Sequence, residues 1–154
     1  MAKHFKGFSL IEVLIVTVLM SGSFVVFYYA LNQGKTVQAK SQLRTIQAIL
    51  LNHKINEIRS RNFDENSSAP WSSTLGPDTG DSFYDDVDDY HNQAVTNFTE
   101  YPSYSCSTKV DYVSPATGFH TPAGGITDYK RVTVMIFHRT LSAMLDTFIV
   151  SPAS

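Results

Sequence analysis

The hydrophobic pattern of the chain begins with one long apolar run. The 24 residues from Phe8 to Leu31 include a single charged side chain, Glu12. A helix rises about 1.5 Å per residue, so this run would be roughly 36 Å long and could cross a bilayer. We therefore predict a transmembrane helix over residues 8–31.

The next segment, residues 32–61, has no proline and repeats apolar side chains at spacings of three and four. The repeated positions are Ala39, Leu43, Ile46, Leu50, Leu51, Ile55 and Ile58. This periodicity is typical of an amphipathic helix. We expect this half to continue the transmembrane helix and to pack its apolar side on a sheet.

Residues 62–93 have the composition of a loop, because Asn, Asp, Ser, Pro and Gly interrupt any periodic pattern. Aromatic rings hold irregular segments in place by burying large areas. We expect four of them to anchor this loop to the domain: Trp71, Phe83, Tyr84 and Tyr90.

The remaining chain alternates in the manner of β-strands. We predict strands over residues 103–113, 129–138 and 146–150, with a connection over residues 139–145 and turns at 114–118 and 121–125. In the first, Cys106, Thr108, Val110 and Tyr112 share one face; in the second, Val132, Val134 and Ile136 do. The predicted fold is α+β, with a long N-terminal helix on a small antiparallel sheet and a globular head over residues 62–154.

The start of the apolar run is unusual for a plain membrane anchor. An unpaired charge such as Glu12 costs several kcal/mol inside a bilayer, so it requires a partner. Residues 1–7 form a short leader with two lysines, which favour the cytoplasmic side. A secretory signal peptide is cut after its apolar core, whereas here the small-residue junction, Gly7–Phe8, precedes it.

Lys6-Gly7-Phe8-Ser9-Leu10-Ile11-Glu12 resembles the processing motif of the type IV pilin superfamily, which includes pilins and the pseudopilins of type II secretion. The resemblance implies that a prepilin peptidase removes residues 1–7 and N-methylates Phe8. It also implies that Glu12 neutralises the N-terminal amine of a neighbouring subunit. A carboxylate and an ammonium need each other far more in apolar surroundings than in water.

Two departures from major pilins favour a minor pilin or a pseudopilin. Many major pilins carry a C-terminal pair of cysteines, and one branch of them has a proline that kinks the helix late in the apolar run. Here Cys106 is the only cysteine, so no intramolecular disulfide can form, and the apolar run has no proline. The segments 85–91 and 129–134 are similar to segments of minor pilins of the mannose-sensitive haemagglutinin type. That type, supporting adhesion or motility, is the first hypothesis, and a type II secretion pseudopilin is the second.

The resemblance also implies partners and a location. The expected partners are other pilin subunits, the prepilin peptidase and an assembly platform in the bacterial inner membrane. The chain would cross that membrane once with a cytoplasmic N-terminus. After assembly it would lie in a cell-surface pilus or a periplasmic pseudopilus.

Charge is distributed unevenly along the chain. Residues 1–61 carry a net charge of +6, residues 62–128 carry −10, and residues 129–154 carry +2. An acidic head would repel phosphates, so we expect no nucleic-acid partner. Five carboxylates of the loop could ligate calcium, although their spacing lacks the glycine and final glutamate of an EF-hand. They are Asp81, Asp85, Asp86, Asp88 and Asp89.

The favoured interpretation of these carboxylates is a solvated acidic turn whose side chains cap nearby backbone. A calcium- or receptor-binding head is the alternative from another functional class. No serine elbow, phosphate-binding glycine loop or paired metal-ligand motif is present, and the histidines are scattered. We expect a structural subunit without catalytic residues or a cofactor.

Overall fold

The computed structural model describes residues 7–77 and 83–152. In these described ranges one helix, α1 (Leu10–Arg59), is followed by a short 3-10 helix (Asp88–Tyr90) and five strands. The strands are β1 (Gln93–Asn97), β2 (Tyr104–Ser114), β3 (Gly118–Pro122), β4 (Lys130–His138) and β5 (Leu141–Val150). The predicted α+β class is confirmed.

The chain divides into two compact units, residues 1–42 and residues 43–154. In the first unit, α1 is long and apolar enough to cross a membrane. Every residue from Leu10 to Leu31 is exposed, Leu10 to 83 %. The described residues thus leave a continuous apolar surface uncovered, which is unusual for a soluble monomer.

In the second unit, the last part of α1 packs on the sheet. Leu50, Leu51, Ile55 and Ile58 are buried in one core with residues of β2, β4 and β5. Leu43 and Ile46 pack against that core, whereas Ala39 is exposed. The predicted apolar stripe is confirmed from Leu43 onward.

The strands are antiparallel in the order β1-β2-β4-β5, and β3 pairs with β2. The β2–β4 register is unbroken and ends with Tyr112 opposite Lys130. Val132, Val134 and Ile136 are fully buried, as their spacing predicts. Lys130 has the same parity, so the pleat also directs its side chain into the core.

The predicted sheet is wrong at one strand boundary and lacks two strands. β5 begins at Leu141 instead of Asp146, because residues 141–145 pair with β4 and the pairing outweighs the weak strand preference of Ser142 and Ala143. β1 and β3 were not predicted, since both are short and mostly exposed. Pro122 ends β3 at a position where its missing N–H is tolerated.

Three of the four loop aromatics are anchored. Trp71 packs edge-on against Phe63 at 5.0 Å between ring centroids, and Tyr84 packs on the buried Tyr90 at 4.9 Å. Phe83 is 84 % exposed, so the prediction that it anchors the loop is wrong. Tyr90 fills the core beneath the loop and Tyr84 covers it, which leaves Phe83 outside this pair.

Ile58→Ala should lower the free energy of unfolding of the head by about 3 kcal/mol, because it leaves a cavity where the side chain is fully buried. Ile49→Ala is the matched control in the same helix, at a position 61 % exposed, and should change it by less than about 0.5 kcal/mol. Urea unfolding of the full chain in detergent, followed by Trp71 fluorescence, measures both. Equal losses at the two positions would contradict the packing described.

Candidate functional site

The N-terminal junction lies just ahead of α1. Gly7 and Phe8 are exposed and non-helical, and Phe8 is 82 % exposed. The helix starts at Leu10, where the Ser9 carbonyl accepts the backbone N–H groups of Glu12 at 3.0 Å and Val13 at 3.3 Å. The Gly7–Phe8 peptide bond is therefore open to a protease.

Glu12 lies in the first turn of α1 and is exposed. Within residues 7–77 and 83–152, no ion pair reaches its carboxylate. A negative charge in the first turn of a helix is favoured by the helix dipole, but that effect is modest. The carboxylate of Glu12 therefore has no counter-charge among the described residues.

A second candidate site is a buried ionic cluster, which comprises Lys130, Asp64, Asp86 and Asp88. The Lys130 side chain is fully buried. Its Nζ donates to the Phe63 carbonyl at 2.7 Å, to Asp64 Oδ2 at 2.9 Å and to Asp88 Oδ1 at 2.6 Å.

Two aromatic rings also lie close to the Lys130 ammonium. The ring centroids of Phe63 and Tyr112 are 4.5 and 5.5 Å from Nζ. Such a buried ammonium is stable only because several partners compensate for its lost hydration.

Asp64 is held as an anion. Its carboxylate also accepts the backbone N–H groups of Asn66 at 3.1 Å and Ser72 at 3.0 Å, and the Ser72 hydroxyl at 3.0 Å. Burial opposes its ionisation, but the hydrogen bonds from Lys130, Ser72 and Asn66 outweigh it and lower the pKa of Asp64 to about 2.

The acidic turn faces inward. Asp86, Asp88 and Asp89 are all buried. Asp89 accepts the backbone N–H groups of Asp85 and Asp86, and Asp86 accepts those of Asp88 and Asp89. The predicted backbone capping is confirmed. The predicted solvation is wrong for these three residues, because Asp86 and Asp89 accept backbone N–H groups inside the turn and Asp88 accepts a hydrogen bond from the buried Lys130.

Protonation differs sharply within the ionic cluster. Burial and the neighbouring Asp88 charge raise the pKa of Asp86 to about 8. Burial also raises the pKa of Asp88, although Lys130 acts in the opposite direction. The Asp86 carboxyl group donates a hydrogen bond to the Asp88 carboxylate. At neutral pH, Asp86 therefore carries a proton next to Asp88.

The structure does not gather the predicted calcium ligands around one point. Asp81 lies outside the described residues, and Asp85 is exposed. Asp86 and Asp89 face backbone N–H groups, and Asp88 faces Lys130. A different trio has carboxylate oxygens within 4.8 Å of one another: Asp64, Glu65 and Asp88. A metal ion there would have to replace the Lys130 ammonium.

Sequence reasoning missed Lys130 and Asp64 as site residues. Lys130 carried a usable signal, because it shares the two-residue period of the buried positions Val132, Val134 and Ile136. A lysine on a buried face needs an acidic partner. Asp64 lies in an irregular segment 66 residues away, where no local pattern identifies it.

Cys106 is buried, as expected for a strand residue of the core. Burial raises the pKa of its thiol to about 11, so it is protonated and unreactive at neutral pH. It is therefore not a candidate nucleophile.

Comparison with known proteins yields no relative. No protein-family model matches the chain, and neither a curated protein nor a solved structure is significantly similar to it. The function is therefore inferred from the residues of this chain and their geometry.

The head should lose stability as the pH rises toward about 8. Folded Asp86 keeps a proton that an unfolded aspartate, with an ordinary pKa near 3.8, releases. The stabilisation is therefore complete below the unfolded pKa and is lost as the pH rises toward the folded one. Between about pH 6 and about pH 9, the free energy of unfolding should fall by on the order of 2 kcal/mol.

Asp86→Asn cannot ionise and should remove most of this fall, while its amide oxygen can still accept the same backbone N–H groups. Asp146→Asn, at an exposed position, is the matched control and should keep the wild-type dependence. Denaturant titrations at several pH values measure the difference. An unchanged pH dependence in Asp86→Asn would contradict the assignment.

Proposed function

We propose that this chain is a pilin-type filament subunit that is processed at Gly7–Phe8 and assembled through its N-terminal helix. One observation carries the proposal: an exposed apolar helix holds a single carboxylate, Glu12, in its first turn, directly after an exposed Gly-Phe junction. An ordinary membrane anchor requires neither the junction nor the charge. A processed filament subunit requires both.

Processing supplies the partner that Glu12 lacks. Cleavage after Gly7 by a membrane prepilin peptidase would create an amine on Phe8, four residues before Glu12, and methylation would leave that amine cationic. The exposed, non-helical backbone at the junction supports access by the peptidase. A neighbouring copy displaced along the helix axis by about four residues, roughly 6 Å, would bring that amine level with the carboxylate.

Assembly would exchange lipid for neighbouring helices around the apolar surface of residues 8–31. In those surroundings the carboxylate of Glu12 and the amine of the next subunit attract each other strongly, and either one alone is costly. The pair therefore fixes the register between subunits. Extraction from the bilayer would draw on an ATP-driven assembly platform, which is a separate machine.

The segments 85–91 and 129–134 favour a minor pilin of the mannose-sensitive haemagglutinin type. A type II secretion pseudopilin is the second candidate, since it shares the junction, the glutamate and the α+β head. The carboxylates of Asp64 and Asp88 already accept hydrogen bonds from Lys130, which weighs against a calcium-binding head. The proposed role is structural in both candidates.

Glu12→Gln should leave membrane insertion and cleavage intact but should lower incorporation into filaments at least about tenfold, because the neighbouring amine loses its counter-charge. Quantitative immunoblots of sheared filaments and of membranes measure the ratio. Thr17→Val is the matched control in the same helix, since the Thr17 hydroxyl bonds only the Leu14 carbonyl of its own helix. If Glu12→Gln is incorporated as well as wild type, the proposal fails.

A further inference from the structure

The side chains of Lys130 and Asp88 are placed as reactants for amide formation. Nζ of Lys130 lies 2.6 Å from Oδ1 of Asp88, and the two side chains are 0 % and 4 % exposed. We propose that these residues form an intramolecular isopeptide bond, joining Nζ of Lys130 to Cγ of Asp88 with release of one water molecule.

Amide formation needs both groups in their neutral forms, and transfer of one proton across their 2.6 Å contact supplies both. The Phe63 and Tyr112 rings flank Nζ, and water is excluded. In such surroundings an ammonium can pass a proton to an adjacent carboxylate, because two neutral groups are cheaper to bury than two charges. The products are an amine nucleophile and a carboxylic acid in direct contact. Fixed proximity of this kind replaces an encounter in solution.

Asp86 and Asp64 supply the proton transfers. The protonated Asp86 carboxyl, which hydrogen-bonds Asp88, donates a proton to the departing hydroxyl. The Asp64 carboxylate, 2.9 Å from Nζ, accepts a proton from the nitrogen as the N–C bond forms. Passage of that proton from Asp64 to Asp86 restores both groups. An ammonium and a carboxylate thus become an amide and water, with no other reactant.

Asp88 is the electrophile, and Asp64 is not. Asp64 accepts three hydrogen bonds besides that of Lys130, which keep it ionised, and an ionised carboxylate resists attack by an amine. Burial instead raises the pKa of Asp88, so its carboxyl group takes up the proton from Nζ of Lys130 more readily than Asp64 does. The environments therefore assign different roles to two carboxylates that contact the same ammonium.

The bond would join the 3-10 helix to the start of β4, across 42 positions of the chain. Cross-links of this span stabilise a protein mainly by restricting its unfolded state. A chain with one cysteine cannot obtain such a link from an intramolecular disulfide. The isopeptide bond would serve in its place and would resist reduction.

Peptide mass spectrometry of the full chain, purified from membranes in detergent, tests the proposal. We expect a linked peptide that contains Asp88 and Lys130 and is lighter by one water molecule than its two parts together. Lys130→Arg should lack it, and Asp88→Asn should form the same link with loss of ammonia. The pair Lys109–Asp111, with its charged atoms 3.0 Å apart but Lys109 54 % exposed, is an internal control and should stay unlinked.

Asp86→Asn should slow the appearance of the linked peptide in newly made protein by about a hundredfold, since it removes the proton donor. Trp71 fluorescence checks that each variant is folded. Recovery of Asp88 and Lys130 from folded wild-type protein only in separate, unmodified peptides would show an ordinary ion pair and would overturn the proposal. This readout does not depend on filament assembly.

Discussion

The apolar helix surface that the rest of the described chain leaves uncovered dictates the surroundings that this protein needs. The side chains of residues 10–31 are exposed, and the hydrophobic effect drives such a surface into lipid or against other helices. Glu12 is the single charge that opposes both outcomes. We propose that a cationic amine, created at Phe8 by processing and supplied by a neighbouring copy, removes that opposition.

In the head, buried hydrogen bonds and ion pairs constrain the structure as well. Its irregular segment between α1 and β1 is held by directed contacts as well as by apolar packing. Asp64 and Asp88 bond the same lysine, the Tyr112 hydroxyl donates to the Ser72 carbonyl at 2.8 Å, and the Tyr90 hydroxyl donates to Glu57 at 2.8 Å. Because each buried polar group depends on its partner, the loop and the sheet are fixed together.

The parts of the fold that repeat along the sequence could be predicted from it. Apolar residues recur every three or four positions from Leu43 to Ile58 and every second position in β4. This period predicts which face of each element is buried. The start of β5 could not be found in this way, because its residues form a strand only through pairing with β4. The inward turn of Asp86 and Asp88 depends on Lys130, which is distant in sequence.

The two candidate sites also differ in how far the sequence reveals them. The first is a local motif of seven residues that includes Gly7, Phe8 and Glu12, but the partner that the motif implies belongs to another molecule. The ionic cluster is complete within one chain, yet it assembles residues from a loop, a 3-10 helix and a strand. Only the parity of Lys130 pointed to it in the sequence.

The mass of the N-terminal peptide of the protein from native membranes decides whether the chain is processed as proposed. We expect a chain that begins at Phe8 and carries one methyl group on its terminal nitrogen. A chain that retains residues 1–7, or one that is cut after the apolar run, would contradict it.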